Sequence, residues 1–255
     1  MKKNDYSNVE RILIASLILG IFFLVDQFSN DAMSFLFPGL EGYFRWGIRM
    51  FLEVTVVLLA VCLIFRENML GGLERLSLSK SLVGAILFGI IVTLPTALTY
   101  AIGSGFQFNW KTDVLLFYTI FSPFAEEVLY RGFAFWLIYR YLNVGFWWAA
   151  LLPSLVFGFA HFLQDWDLSE QVGVVALTTL GGFWFSWIFS KWENIWFPIV
   201  LHVLLNFWFE LFEVGVNALG DTASILARLF TLGFSIWLTV KKDKFKFLQF
   251  FGNQA

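Results

Sequence analysis

Charge is what this sequence has least of. Only 14% of its 255 residues are Asp, Glu, Lys or Arg, where a water-soluble domain carries about 25%. Histidine is scarcer still, with two residues, and there are five prolines and one cysteine. A single thiol, Cys62, excludes an internal disulfide, and its place in an apolar run fits a buried, inert side chain. No internal repeat, low-complexity segment or separate soluble domain interrupts the chain. The excess is apolar: 59% of the residues are hydrophobic and 20% aromatic, including 33 Phe and 12 Trp. That much apolar surface cannot face water, so lipid must be the solvent, with Trp suited to the interfaces.

Lipid offers no hydrogen bonds to a backbone, so spanning segments must be helices or closed barrels. The apolar runs here are too long for barrel strands. They predict an all-α, polytopic helical bundle forming a single integral membrane domain over 1–255. About eight spans are expected, near 11–26, 47–65, 82–102, 113–140, 145–163, 172–190, 195–213 and 223–240. Met1-Lys2-Lys3 and Arg11 before an apolar stretch resemble a signal peptide, but Asp26-Gln27-Phe28 is a poor cleavage site, so this segment reads as the first span. The segment 66–81 suits an interfacial turn. Lys2, Lys3, Arg11, Arg66, Arg75, Lys80, Arg140, Lys191 and the lysines at 241, 242, 244 and 246 fall on one side. Arg45, Arg49, Lys111 and Arg228 fall on the other. By the positive-inside rule both termini are cytoplasmic, and acids such as Asp26, Asp31, Glu41, Asp165 and Glu213 lie outside.

Against this background a few polar residues stand inside apolar runs. Glu126, Glu127 and Arg131 occur in the fourth span, His161 ends the fifth, and His202 and Asn206 lie in the seventh. A charge at the bilayer centre costs roughly 2.5–3.5 kcal/mol, and such residues mark functional sites by default. Glu127 and Arg131 are four apart and share a helix face; mutual neutralisation for insertion would also account for them. Glu126 is rotated about 100° away and has no obvious local partner, since Tyr130 is neutral. A lone intramembrane His or Asn is usually a packing or interhelical bonding residue. Three helices each carrying such groups can satisfy them together only by converging on one cavity. By these boundaries His161 lies near the outer end of its span and Glu126 near mid-membrane, so convergence requires a shift or tilt.

Together these residues could hydrolyse an amide. Glu126 with His161 could activate a water, and His202 with Asn206 could donate to the developing oxyanion. Equally, Glu126, His161 and His202 could ligate zinc, although no His-Glu-x-x-His pattern is present.

Glu126-Glu127-Val128-Leu129-Tyr130-Arg131, Phe157-x-x-x-His161 and His202-x-x-x-Asn206, in this order on separate spans, resemble the motif set of the CAAX-protease and bacteriocin-processing family of intramembrane proteases. The resemblance covers about 114–213, within a catalytic core expected over 113–213. It implies an eight-helix fold with an intramembrane cavity. It also implies endopeptidase activity through Glu126, Glu127, His161, His202 and Asn206, with Arg131 ordering the glutamates. Expected partners are the bilayer and a membrane-held peptide or protein, prenylated or a leader peptide, and no nucleic acid. The expected location is a bacterial plasma membrane. The competing readings are a non-proteolytic immunity or regulatory membrane protein and a transporter with a carboxylate–histidine proton relay.

Overall fold

The computed structural model describes residues 6–162, 167–215 and 219–244. Lys2, Lys3, Asp165 and Lys246, used above to orient the chain, lie outside the described residues. Helices α1 (Asn8–Leu36), α2 (Gly42–Phe65), the short α3 (Met69–Arg75) and α4 (Val83–Gly103) form the first half. A continuous helical run, α5 (112–141), leads to α6 (Phe146–Ala160), α7 (Leu168–Trp192), α8 (Trp196–Leu211) and α9 (Thr222–Val240). Five of these, α1, α2, α4, α7 and α9, are long and apolar enough to cross a membrane, and α6 and α8 are apolar but shorter. The chain is a polytopic helical membrane protein.

Local chemistry sets the ends. Ser7 and Glu10 form a capping box that starts α1, and Asp221 accepts from the Ser224 amide to start α9. The expected interfacial turn is α3, capped by Asn68 on the Gly71 amide. The first span departs from expectation. It continues past residue 26, because apolar residues including the buried Met33 extend the pattern. Asp26 therefore lies inside α1 rather than in an outer loop, and its carboxylate accepts a hydrogen bond from the Tyr130 hydroxyl of α5.

The second half of α5 is the centre of the bundle. Val128, Phe133, Ala134 and Phe135 are buried against α1, α2 and α6. A second core of Phe88, Ile188, Trp192 and Phe197 joins α4, α7 and α8. Polar bonds between helices add register: the Thr96 and Thr231 hydroxyls lie 2.6 Å apart across α4 and α9, and Tyr100 meets Ser224 at 2.8 Å. α6 and α7 touch most closely. A Cβ on Gly158 would stand 1.9 Å from Thr179 Oγ1, so only glycine permits this approach.

Candidate active site

α5 carries the acidic pair on a helix that widens twice to π geometry. Phe117–Phe121 and Glu127–Trp136 are π-helical, and the one turn between them, Ser122–Glu126, is α-helical. Such widened turns concentrate at functional sites. Glu127 and Arg131 are buried almost completely, at 0% and 1% exposure. Glu127 Oε1 lies 3.1 Å from Arg131 Nη1, so the pair expected from spacing is present. The same oxygen meets His202 Nδ1 at 2.8 Å. An ionised carboxylate can only accept, so Nδ1 carries a proton and Nε2 faces away from Glu127. That Nε2 lies 3.9 Å from Glu126 Oε2.

Glu126 does have a local partner, which the spacing argument overlooked. The Ser122 hydroxyl, one turn earlier, donates to Glu126 Oε1 at 2.6 Å. One carboxylate oxygen is thus tied to its own helix, and the other faces His202. His202 stands between the two glutamates, held by one and presented to the other.

His161 follows the last residue of α6. With 15 residues that helix is about 22 Å long at 1.5 Å per residue, shorter than the roughly 30 Å hydrocarbon layer. Its end can therefore lie at the depth of Glu126, which removes the conflict in the predicted boundaries. His161 Nδ1 bonds the Phe157 carbonyl at 2.7 Å. A carbonyl only accepts, so this nitrogen donates and Nε2 keeps its lone pair. His202, His161 and Arg131 all lie within electrostatic reach of the Glu126 carboxylate. Phe157 is the hub between them. Its ring lies 4.1 Å from the Arg131 guanidinium carbon, 4.7 Å from the His161 ring and 6.1 Å from the His202 ring. Asn206 donates through Nδ2 to the Tyr118 carbonyl at 3.3 Å, which leaves its second amide hydrogen free to donate elsewhere.

An apolar groove of about 780 Å³ flanks this cluster. Its walls include Gly47 and Phe51 of α2, Ile86 and Ile90 of α4, Phe121 of α5 and Val203 of α8, and no charged side chain lines it. Phe51, Ile86, Ile90 and Phe121 are exposed on the outside of the bundle, so the groove opens sideways, towards lipid. Ala125 and Val203 in its wall adjoin Glu126 and His202 in sequence.

The zinc reading of Glu126, His161 and His202 does not fit this arrangement. Among the described residues no three His, Cys, Asp or Glu side chains are gathered closely enough to hold a metal ion, although donation from Nδ1 leaves Nε2 of each histidine available. On the sequence reading Phe157 belongs only to a motif, and neither Ser122 nor Asp26 is counted as a member or neighbour of the cluster. Ser122 was detectable from its spacing of four to Glu126; nothing in the sequence links Asp26 to Tyr130.

Comparison with known proteins gives two matches. Residues 108–208 match the family described as Type II CAAX prenyl endopeptidase Rce1-like. The chain is also 24% identical over 176 residues to the Bacillus subtilis (strain 168) protein named "Putative membrane peptidase YdiL", covering 63% of this chain and 68% of that protein. No solved structure matches the chain.

Proposed function

We propose that this chain, whose residues 108–208 match the Rce1-like type II CAAX prenyl endopeptidase family, is an intramembrane endopeptidase acting on lipidated peptides by means of an activated water. The observation that carries the reading is the division of labour between the two glutamates. Glu127 is consumed by Arg131 and His202. Glu126 keeps one oxygen directed at His202 Nε2 and is partly open, with its side chain 28% exposed.

In the proposed reaction a water bonded to Glu126 and to His161 Nε2 attacks the scissile carbonyl, and Glu126 takes the proton. The new C–O bond leaves an oxyanion, which accepts from the free amide hydrogen of Asn206. It also accepts from His202 Nε2–H when that ring carries its second proton. In that state two anions, Glu127 and the oxyanion, are balanced by two cations, Arg131 and the His202 ring. Collapse breaks the C–N bond, and Glu126 returns its proton to the leaving amine. Arg131 and Glu127 touch no reacting atom; they fix the tautomer and direction of His202.

The substrate class follows from the groove. A peptide carrying a hydrocarbon chain, such as a prenyl group, could lay that chain among Phe51, Ile90 and Val203 and enter from the bilayer. All eight long helical segments are then read as membrane-embedded, with both termini cytoplasmic, in a bacterial plasma membrane. The test is purified full-length protein in liposomes, given prenylated and leader-type peptides with and without a chelator. Cleavage by wild type that survives the chelator and disappears in Glu126→Ala is expected. A Glu126→Ala protein that inserts normally and cleaves as wild type would sink the proposal.

A further inference from the structure

The turn Ser122–Glu126 sits between two π-helical stretches, and the reason lies in its second residue. The Ser122 amide bonds the Phe117 carbonyl, five residues back. The next donor in that pattern would be residue 123, aimed at the Tyr118 carbonyl, but Pro123 has no N–H. The Tyr118 carbonyl therefore has no helical donor in this pattern, and it accepts instead from Asn206 Nδ2 on α8 at 3.3 Å. On the other side of the proline the helix returns to α geometry for one turn. There a spacing of four puts Ser122 directly under Glu126, with its hydroxyl 2.6 Å from Oε1. One local break thus reaches both sides of the site.

Resting on the endopeptidase reading above, we propose that Ser122 and Pro123, which belong to none of the sequence motifs, are positioning residues. Ser122 decides which oxygen of Glu126 is left for the reaction, and Pro123 frees the carbonyl that aims the amide of Asn206. Neither touches the substrate. Glu126 is carried on a stem with several torsions, and a displacement of about 1 Å at a reacting group can cost on the order of 100-fold in rate. A single short bond to the backbone-anchored hydroxyl is what fixes it here. For Asn206, a restored N–H at residue 123 would compete for the same carbonyl.

The test uses full-length protein in liposomes and a lipidated peptide that wild type cleaves. Ser122→Ala is expected to lower kcat at least tenfold with KM within threefold, and Ser122→Thr, which keeps the hydroxyl, to restore kcat. Pro123→Ala is expected to lower kcat several-fold, but to add less than twofold in an Asn206→Ala background, because both act through one group. A second readout needs no activity. Infrared bands of the Glu126 carboxylate, isolated by subtracting the Glu126→Gln spectrum, should show a narrower splitting of the two stretches in Ser122→Ala and an unchanged splitting in Ser122→Thr. Unchanged kcat in Ser122→Ala and Pro123→Ala, or unchanged infrared splitting in folded Ser122→Ala, overturns the proposal. If wild type cleaves no peptide, the endopeptidase reading fails by itself, and the infrared result still decides whether Ser122 holds Glu126.

Discussion

Glu127 is buried at 0% exposure, so its neighbours must stabilise its charge. One oxygen is shared between Arg131 and His202. Arg131 Nη1 meets that oxygen as an ion pair without hydrogen-bond geometry, and Glu127 Oε2 and Arg131 Nη2 are buried without a protein hydrogen-bond partner. The Arg131 guanidinium is covered instead by the Phe157 ring. Removing one member of a buried pair strands the other, at about 3–5 kcal/mol. Arg131→Ala should therefore lower the thermal midpoint of the purified protein sharply. Arg131→Ala with Glu127→Gln should recover much of that loss, because no unpaired charge remains; a double variant no more stable than Arg131→Ala would show that charge is not the cause. At this scale the sequence was informative where partners lie on one helix. Residues 127 and 131 are four apart and read as a pair; 122 and 126 have the same spacing, but Glu126 is read there as having no local partner. The sequence could not say that His202 would use Nδ1 on Glu127 and offer Nε2 to Glu126, because that depends on how far α8 is rotated against α5.

Elements were legible when their ends had local causes. The apolar runs located the helices, and Ser7, Asn68 and Asp221 begin theirs with side-chain caps. Two features had no local signal. That Asp26 finds a partner inside the bundle depends on Tyr130, distant in sequence, which donates to its carboxylate, and Pro123 marks a break in α5 without revealing that the helix widens to π pitch on either side. The contact of α6 with α7 shows how narrow the tolerance is. A methyl group on Gly158 would meet Thr179 Oγ1 at 1.9 Å and the Val175 carbonyl at 2.9 Å, and the second of these is backbone. Gly158→Ala should cost about 1–3 kcal/mol by overpacking, and should reduce any cleavage because His161 ends the same helix. Adding Thr179→Ala should recover part of the stability, since it removes the nearer atom. At the opposite edge, the connection from α4 to α5 is clasped to the end of α8. Lys111 Nζ lies 2.9 Å from Glu213, Asn109 also donates to that carboxylate, and the Asn109 amide bonds the Leu211 carbonyl at 2.8 Å. The hydrogen bond from Lys111, with that from Asn109, holds the Glu213 carboxyl below its ordinary 4.5. A carboxyl lowered by folding stabilises above its unfolded pKa, and that contribution is lost as pH falls through the folded value. Hydrogen exchange at the Asn109 amide should therefore show protection that holds near neutral pH and weakens as pH falls below the ordinary carboxylate range. Glu213→Gln should abolish this pH dependence.

The groove exists only at the scale of the whole molecule. Its walls come from α2, α4, α5 and α8, and no stretch of sequence contains enough of them to reveal a gap. Seen along each helix, Phe51, Ile90 and Phe121 are ordinary lipid-facing residues. Only the assembled bundle shows that they bound a space running beside the helices that carry Glu126 and His202. If a substrate's hydrocarbon chain fills that space, affinity should depend on chain length, because each buried methylene contributes about 0.8 kcal/mol. Ile90 is a suitable place to obstruct it, being on α4, away from both glutamates and both histidines. Ile90→Trp should displace at least two methylenes, and since about 1.4 kcal/mol is a factor of ten, KM for a long-chain peptide should rise about tenfold. A short-chain or unlipidated analogue should be cleaved with unchanged KM, and kcat should hold for both, because the reacting groups are untouched. Equal increases in KM for lipidated and unlipidated peptides would mean that the tryptophan disturbs the bundle generally. In that case the lateral groove would be a packing defect open to bulk lipid, and the substrate's chain would have to lie elsewhere.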